Sequence, residues 1–167
     1  MPQPPYLKIG DKIAIVSTAR KIIKEELSFA VNKLEEWGLE VVFGDHLFEE
    51  NNQFAGNDSM RAADFQTVLD DDSVKAIICA RGGYGTVRIV DGLDFSKFKK
   101  TPKWVVGYSD ITVLHSHISG NLGIQTIHGT MPINFETNTE LALESLRKTL
   151  FGERLTYEIP AHQFNRK

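Results

Sequence analysis

Two short segments place side chains and glycines in an order that could do chemistry. In Gly107-Tyr108-Ser109-Asp110-Ile111-Thr112 an apolar run ends at a glycine, and a serine follows two residues later where a helix must begin. Such a turn lifts a hydroxyl above the end of a sheet and aims the first helical amides at it, the layout of a nucleophile elbow. The helix start adds about half a positive charge where a tetrahedral oxyanion would form. Ile111 stands where G-x-S-x-G has its second glycine, so that motif is only half matched. The plainer reading of Ser109 is a helix N-cap, a position that favours serine. In Arg81-Gly82-Gly83-Tyr84-Gly85, three glycines in four positions allow close backbone approach and positive φ. Amides of that turn could complete an oxyanion hole or hold a phosphate, with Arg81 as a fixed cation beside them. The turn matches neither a Walker loop nor G-x-G-x-x-G; the alternative is a tight turn without a ligand, but the cation of Arg81 at the same edge favours a functional role.

Other chemistry-bearing residues read as structural. Cys79 lies inside an apolar strand and reads as an inert core thiol, because a reactive one needs an exposed, electropositive setting. His115 and His117 fall on the helix after Ser109 and point away from its hydroxyl. His128 ends a strand and could reach the site, although a structural hydrogen bond to a neighbouring turn is the simpler role. Asp70-Asp71-Asp72 reads as a solvated helix end, since adjacent residues do not converge on one ion without a shaped loop. Trp37 and Trp104 read as core aromatics.

The elements that must position these turns follow from periodicity. Strands are expected at 12–16, 39–43, 75–80, 103–106 and 123–127, ending at His128. Helices are expected from about Leu27 to a stop at Gly38, over 59–69 capped by Asp58 or Ser59, over 109–120, and over 139–150. Short helical pieces at 87–90 and 94–100 lie between the third and fourth strands. Strands alternating with helices imply parallel pairing and right-handed crossovers. The expected fold is therefore a flavodoxin-like α/β open sheet of about five strands with helices on both faces. Ligands of such a sheet bind at the carboxyl ends of its strands, where both glycine-containing turns fall. The expected division is a domain over 1–152 followed by a linker over 153–167, with a strand-like Leu155–Pro160.

Bulk properties narrow the classes of function. With 167 residues the chain suits one domain, and it should bury about 70% of its unfolded surface. A single cysteine excludes an internal disulfide and a cysteine-built zinc site. Nineteen basic against 22 acidic residues argue against a nucleic-acid partner. Apolar runs such as 76–80 fall far short of the ~20 residues that span a bilayer, and the start shows no apolar secretory core. No membrane span is expected, and the plain location is the cytoplasm.

Taken together, the segments resemble the amino-terminal domain of the LD-carboxypeptidase, or muramoyltetrapeptide carboxypeptidase, family. The matching stretches are 10–16, Phe54-Ala55-Gly56-Asn57-Asp58 with Arg61-Ala62-Ala63-Asp64, 76–85, Val106 to Thr112 with Leu114-His115, and His128-Gly129-Thr130-Met131. The pairing of R-G-G-Y-G with G-Y-S-D carries most of the specificity. The resemblance implies a serine peptidase that uses no cofactor and releases the terminal D-alanine of peptidoglycan tetrapeptides during cell-wall recycling. On it, Ser109 matches the nucleophile, and the backbone amides of Asp110 and Gly83 (or Gly82) match the oxyanion hole. Arg81, Tyr84, Gly85 and His128 fall where substrate would lie. Ser17-Thr18 and Thr130 depart from a frequent Pro-Ser and Pro, on turns lining the cleft. The family's catalytic Glu and His belong to a carboxy-terminal domain that does not map onto this chain, so turnover by the chain alone is not expected. A surface left uncovered by that domain could support a homodimer. The rival class is a non-catalytic module that binds a phosphate or carboxylate at the glycine turn. A cysteine-dependent amidotransferase relative would need Cys79 on an elbow rather than within a strand.

Overall fold

A computed structural model describes residues 2–158, 161, 163 and 164. Five parallel strands form one sheet in the order β2-β1-β3-β4-β5. They are β1 Lys12–Val16, β2 Glu40–Phe43, β3 Val74–Cys79, β4 Trp104–Gly107 and β5 Ile127–His128. The helices are α1 Lys24–Glu36, α2 Asp58–Asp70, α3 Ser96–Lys100, α4 Thr112–His117 and α5 Glu140–Phe151. This is the doubly wound order of a flavodoxin-like sheet. Both faces are covered, and this is why the central strands read as unbroken apolar runs rather than alternating ones.

Side-chain alternation divides the core into two layers. Ile13, Ile15, Ala76, Ile78, Trp104 and Val106 face α1 and α5, meeting Leu27, Leu34, Leu143 and Leu150. Ala14, Val16, Ile77, Cys79 and Val105 face α2, α3 and α4, meeting Phe65, Phe98, Ile111 and Leu114. The buried residues of α1 recur at 27, 30 and 34, one stripe of a helix.

Several boundaries differ from the periodicity, each for a local reason. Asn57, not Asp58 or Ser59, caps α2, its side chain accepting from the Met60 amide at 2.9 Å. The helix expected over 109–120 begins as a 3₁₀ turn over Ser109–Ile111 and ends as a wide π turn over Ile118–Leu122. That turn stops at Gly123 with φ +70°, and residues 124–126, which the pattern assigned to the fifth strand, carry no regular structure. As a result β5 is only two residues long. Residues 153–158 follow α5 without regular structure, so no strand forms over Leu155–Glu158; Ile159 and Pro160 lie outside the described residues.

Candidate active site

The Ser109 turn is strained in the manner of an elbow. Tyr108 is extended at φ −149°, and Ser109 then reverses to φ +60°, one of two non-glycine residues with positive φ among those described. A left-handed backbone costs an L-residue about 1–2 kcal/mol, so surrounding structure must hold it there. One contributor is Gly107, where an added Cβ would sit 2.8 Å from Ile111. Ile111 fills the space left by the missing side chain and packs the turn tightly on the strand end. The N-cap position of the 3₁₀ turn belongs to Tyr108, so Ser109 is not a helix cap. Its residue is exposed, and its hydroxyl has no hydrogen-bond partner among the described residues.

The glycine-rich turn meets this elbow face to face. A Cβ added to Gly82 would lie 3.3 Å from the Ser109 Cβ and 3.5 Å from the Asp110 amide nitrogen. The two motifs that looked independent in sequence therefore line one small space beside the serine. Asp110 joins them covalently distant but physically close: its Oδ2 accepts the Thr86 amide at 2.9 Å, just past the glycines. Thr86 in turn shares a buried 2.8 Å hydrogen bond with the Thr18 hydroxyl at the end of β1.

A buried arginine extends these ties to the first turn. Arg61 projects inward from α2 and is 1% exposed. Its Nε donates to the Thr18 carbonyl at 3.2 Å and its Nη1 to the Gly56 carbonyl at 2.7 Å. Its Nη2 pairs with Asp58, which also takes a forked pair of bonds from Arg88. Arg88 and Arg61 together hold the Asp58 carboxyl below its ordinary range. Asp64, one turn along α2 and also buried, receives both the amide and the Nδ1 of His46, the latter at 2.7 Å. This bond raises the His46 pKa and fixes the loop after β2. Arg61 and Asp64 carry no apolar signal. What marks them in the sequence is charge seven and four residues before Val68, on the inward helical stripe that should be apolar.

The remaining expected site residues have varied fates. Arg81 is half-buried and its Nη1 donates to the Lys21 carbonyl at 3.2 Å, tying two turns together instead of standing free. Tyr84 is exposed, its ring 6.4 Å from Phe54 at the cleft rim. Gly85 backs onto the turn after β1, where a Cβ would meet Ala19 Cα at 2.8 Å. His128 is exposed and makes ring contacts with Tyr108 and His115 in place of the structural hydrogen bond expected of it. His115 is buried, donates Nε2–H to the Gly107 carbonyl at 2.9 Å, and is held below its ordinary pKa by burial. That fixes a neutral ring in a packing role. His117 stacks on Phe95. Among the described residues no histidine or carboxylate is hydrogen-bonded to the Ser109 hydroxyl.

Three hollows flank this end and the opposite one. A groove of about 380 Å³ beside the elbow is lined by Tyr108, His128, Thr130, Asn134 and Asn138. A larger one of about 590 Å³ runs between β5 and α5. A third, about 460 Å³, lies at the amino ends of the strands among Lys8, Lys75 and Lys103, away from the serine. Cys79 is wholly buried and its thiol is pushed up to about 12 by burial, which removes it as a nucleophile. Among the described residues no group of His, Cys, Asp and Glu is arranged to hold a metal ion, and no helix is long and apolar enough to cross a membrane.

Residues 13–129 match the model of the LD-carboxypeptidase N-terminal domain. A Bacillus subtilis protein described as "Probable murein peptide carboxypeptidase" is 43% identical over 129 residues, covering 77% of this chain and 40% of that protein. The structure of an MccF-like protein from Bacillus anthracis superposes with a TM-score of 0.83 at 29% identity, over 90% of this chain and 47% of that one. A muramoyltetrapeptide carboxypeptidase from Oxalobacter formigenes superposes with a TM-score of 0.74 at 28% identity, over 83% and 47%. The chain spans about half the length, or somewhat less, of the curated relatives it matches.

Proposed function

This chain belongs to the LD-carboxypeptidase family, and from that premise we propose that it is the nucleophile-bearing half of a serine peptidase acting on murein tetrapeptides. The observation that carries the reading is Ser109, exposed and held at φ +60° against Gly82 and the Asp110 amide. A merely capping serine has no need of a left-handed backbone.

In the proposed reaction Ser109 Oγ attacks the carbonyl carbon of the amide that joins the terminal D-alanine to the preceding L-centre. The hydroxyl proton passes to a base, and the carbonyl oxygen becomes an oxyanion. The amides of Asp110 and Gly83 (or Gly82) donate to that oxyanion, the type of preorganised pair worth about 10²–10³ in rate per donor. The C–N bond then breaks as the proton moves to the leaving amine, freeing D-alanine and leaving an ester on Ser109. Water hydrolyses the ester. An unactivated hydroxyl is a weak nucleophile, so the base, a Glu–His pair by the family resemblance, belongs to the length of the relatives that this chain does not span. The reading carries with it a cytoplasmic site of action in cell-wall recycling.

The test compares the chain alone with the chain joined to the remaining length of its Bacillus subtilis relative. Release of D-alanine from a murein tetrapeptide is expected only from the joined protein, and Ser109→Ala should lower it by about 10⁴-fold or more. Full activity in the alanine variant would remove Ser109 from the mechanism.

A further inference from the structure

A carboxypeptidase must recognise the free carboxylate of the residue it releases, and four arginines stand at the carboxyl end of this sheet. Three are already committed. Arg61 is buried against Thr18, Gly56 and Asp58; Arg88 is forked onto Asp58; Arg81 donates to the Lys21 carbonyl. Lys21, the neighbouring cation, is paired with Glu50. Arg20 is exposed, and its guanidinium has no acceptor or ion pair among the described residues.

Its position is set by the glycine turn. Gly83 has φ +121°, and a Cβ there would lie 2.7 Å from Arg20 Cγ, 2.8 Å from Cδ and 3.2 Å from Nε. The Arg20 stem therefore lies flat on Gly83, while the preceding Gly82 faces Ser109. The Cα atoms of these two glycines are one residue, about 3.8 Å, apart. In the substrate, the scissile carbonyl and the terminal carboxylate are separated by the same single-residue step. A peptide running along the glycine turn with its carbonyl at Ser109 brings its carboxylate toward Arg20. Backbone contacts help to fix the anchor: Ala55 N donates to the Ala19 carbonyl at 3.1 Å, and Arg20 bridges to Phe54.

We infer that Arg20 is the specificity-determining residue that takes the free terminal carboxylate of the peptide, an inference that rests on the function proposed above. It makes exopeptidase selectivity a property of this half of the enzyme, separate from the base that drives turnover. The planar fork of a guanidinium suits a carboxylate in two-point contact, and a lysine offers only a point charge.

The test is a titration of the chain by ¹H–¹⁵N spectroscopy with a murein tetrapeptide and with the same peptide amidated at its terminal carboxylate alone. The other carboxylates of the peptide are thereby held constant. The acid is expected to shift the Arg20 Nε–Hε and Gly83 amide signals and to bind roughly 10- to 100-fold more tightly than the amide. Arg20→Met, which keeps the stem over Gly83, should bring that ratio close to one, and Arg20→Lys should retain part of it. An undiminished ratio in Arg20→Met, with Gly83 and Asp110 amides still shifting, would overturn the role of Arg20 and leave the serine site standing. If neither peptide shifts Ser109, Asp110 or Gly83, the proposed function fails and Arg20 falls with it.

Discussion

Replacing Ser109 by glycine should make the protein more stable, although the change removes a side chain and adds backbone freedom. Ser109 sits at φ +60°, where an L-residue is penalised by about 1–2 kcal/mol and glycine is not. Against that gain, glycine loosens the unfolded chain by about 0.4–1 kcal/mol. The difference favours glycine by about 0.5–1 kcal/mol, or roughly 2–4 °C in Tm per kcal/mol for a domain of this size. Ser109→Ala keeps the penalty and gives up only an exposed hydroxyl without a partner, so it should stay within about 0.5 kcal/mol of the parent. Ser109→Val, β-branched at the same φ, should be the least stable of the series. Urea and thermal unfolding of the four proteins measures the order directly, with no need for activity. A glycine variant no more stable than the alanine variant would show that the turn is relaxed, and the elbow reading would lose its physical basis.

Asp110 should matter through its side chain as well as its amide. Asp110→Ala removes the acceptor of the Thr86 N–H and should cost about 1.5–3 kcal/mol in unfolding free energy, with Asp110→Asn losing less because its amide oxygen can still accept. His46 and His115 should give stability opposite dependences on pH. The Asp64 bond raises the His46 pKa, so that stabilisation is full below about 6.5 and disappears as pH rises through the raised value. The penalty of His46→Gln should therefore be larger near pH 5.5 than near pH 8.5 in urea titrations, and an equal penalty at both would refute the pairing. Burial lowers the pKa of His115; the unfolded chain accepts a proton near 6.5 that the folded chain refuses, and the penalty of His115→Gln should be smaller at the acid end. Cys79, with its thiol pushed up to about 12, should react with an aromatic disulfide reagent only after unfolding; rapid labelling of the native chain would contradict its burial.

Much of the fold was legible because each signal was local. The strand centres of β1, β3 and β4 are short β-branched runs between turn residues, and the stripe of α1 repeats at helical spacing. The fifth strand was misread in length because 124–126 lies next to a strand-like pattern and yet only Ile127 and His128 pair with β4; how much of an edge segment pairs is a tertiary matter. Within the site, the glycines and Ser109 were legible as types, but their juxtaposition across Gly82 was not, since 27 residues separate them. Ser109 read most simply as a cap. The left-handed φ that rejects this reading exists only once Ile111 occupies the space over Gly107. Arg81 read as the fixed cation of the site, and Arg20, at the end of another candidate turn, was not singled out. Which of two surface arginines spends its guanidinium on a carbonyl is decided by the path of the loop after β1, not by either residue's neighbours in sequence.

The placement of the ties explains how the Ser109 turn is held by this chain's own residues. Ser109 is strained, and strain persists only where several independent contacts over-determine the backbone. Here Gly107 and Ile111 fix the turn from the strand side, Gly82 fixes it from the neighbouring turn, and Asp110 anchors it to Thr86. Thr86 is itself held by Thr18, and Thr18 by a buried arginine whose other bonds reach Gly56 and Asp58. Three strand ends are thereby linked through side chains hydrogen-bonded to one another or to neighbouring backbone. On the proposed function, a base supplied by the length of the relatives that this chain does not span has to reach only one exposed oxygen. On the same proposal, the amides beside Ser109 are positioned by the sheet alone, and the deficit expected of this chain lies in proton transfer.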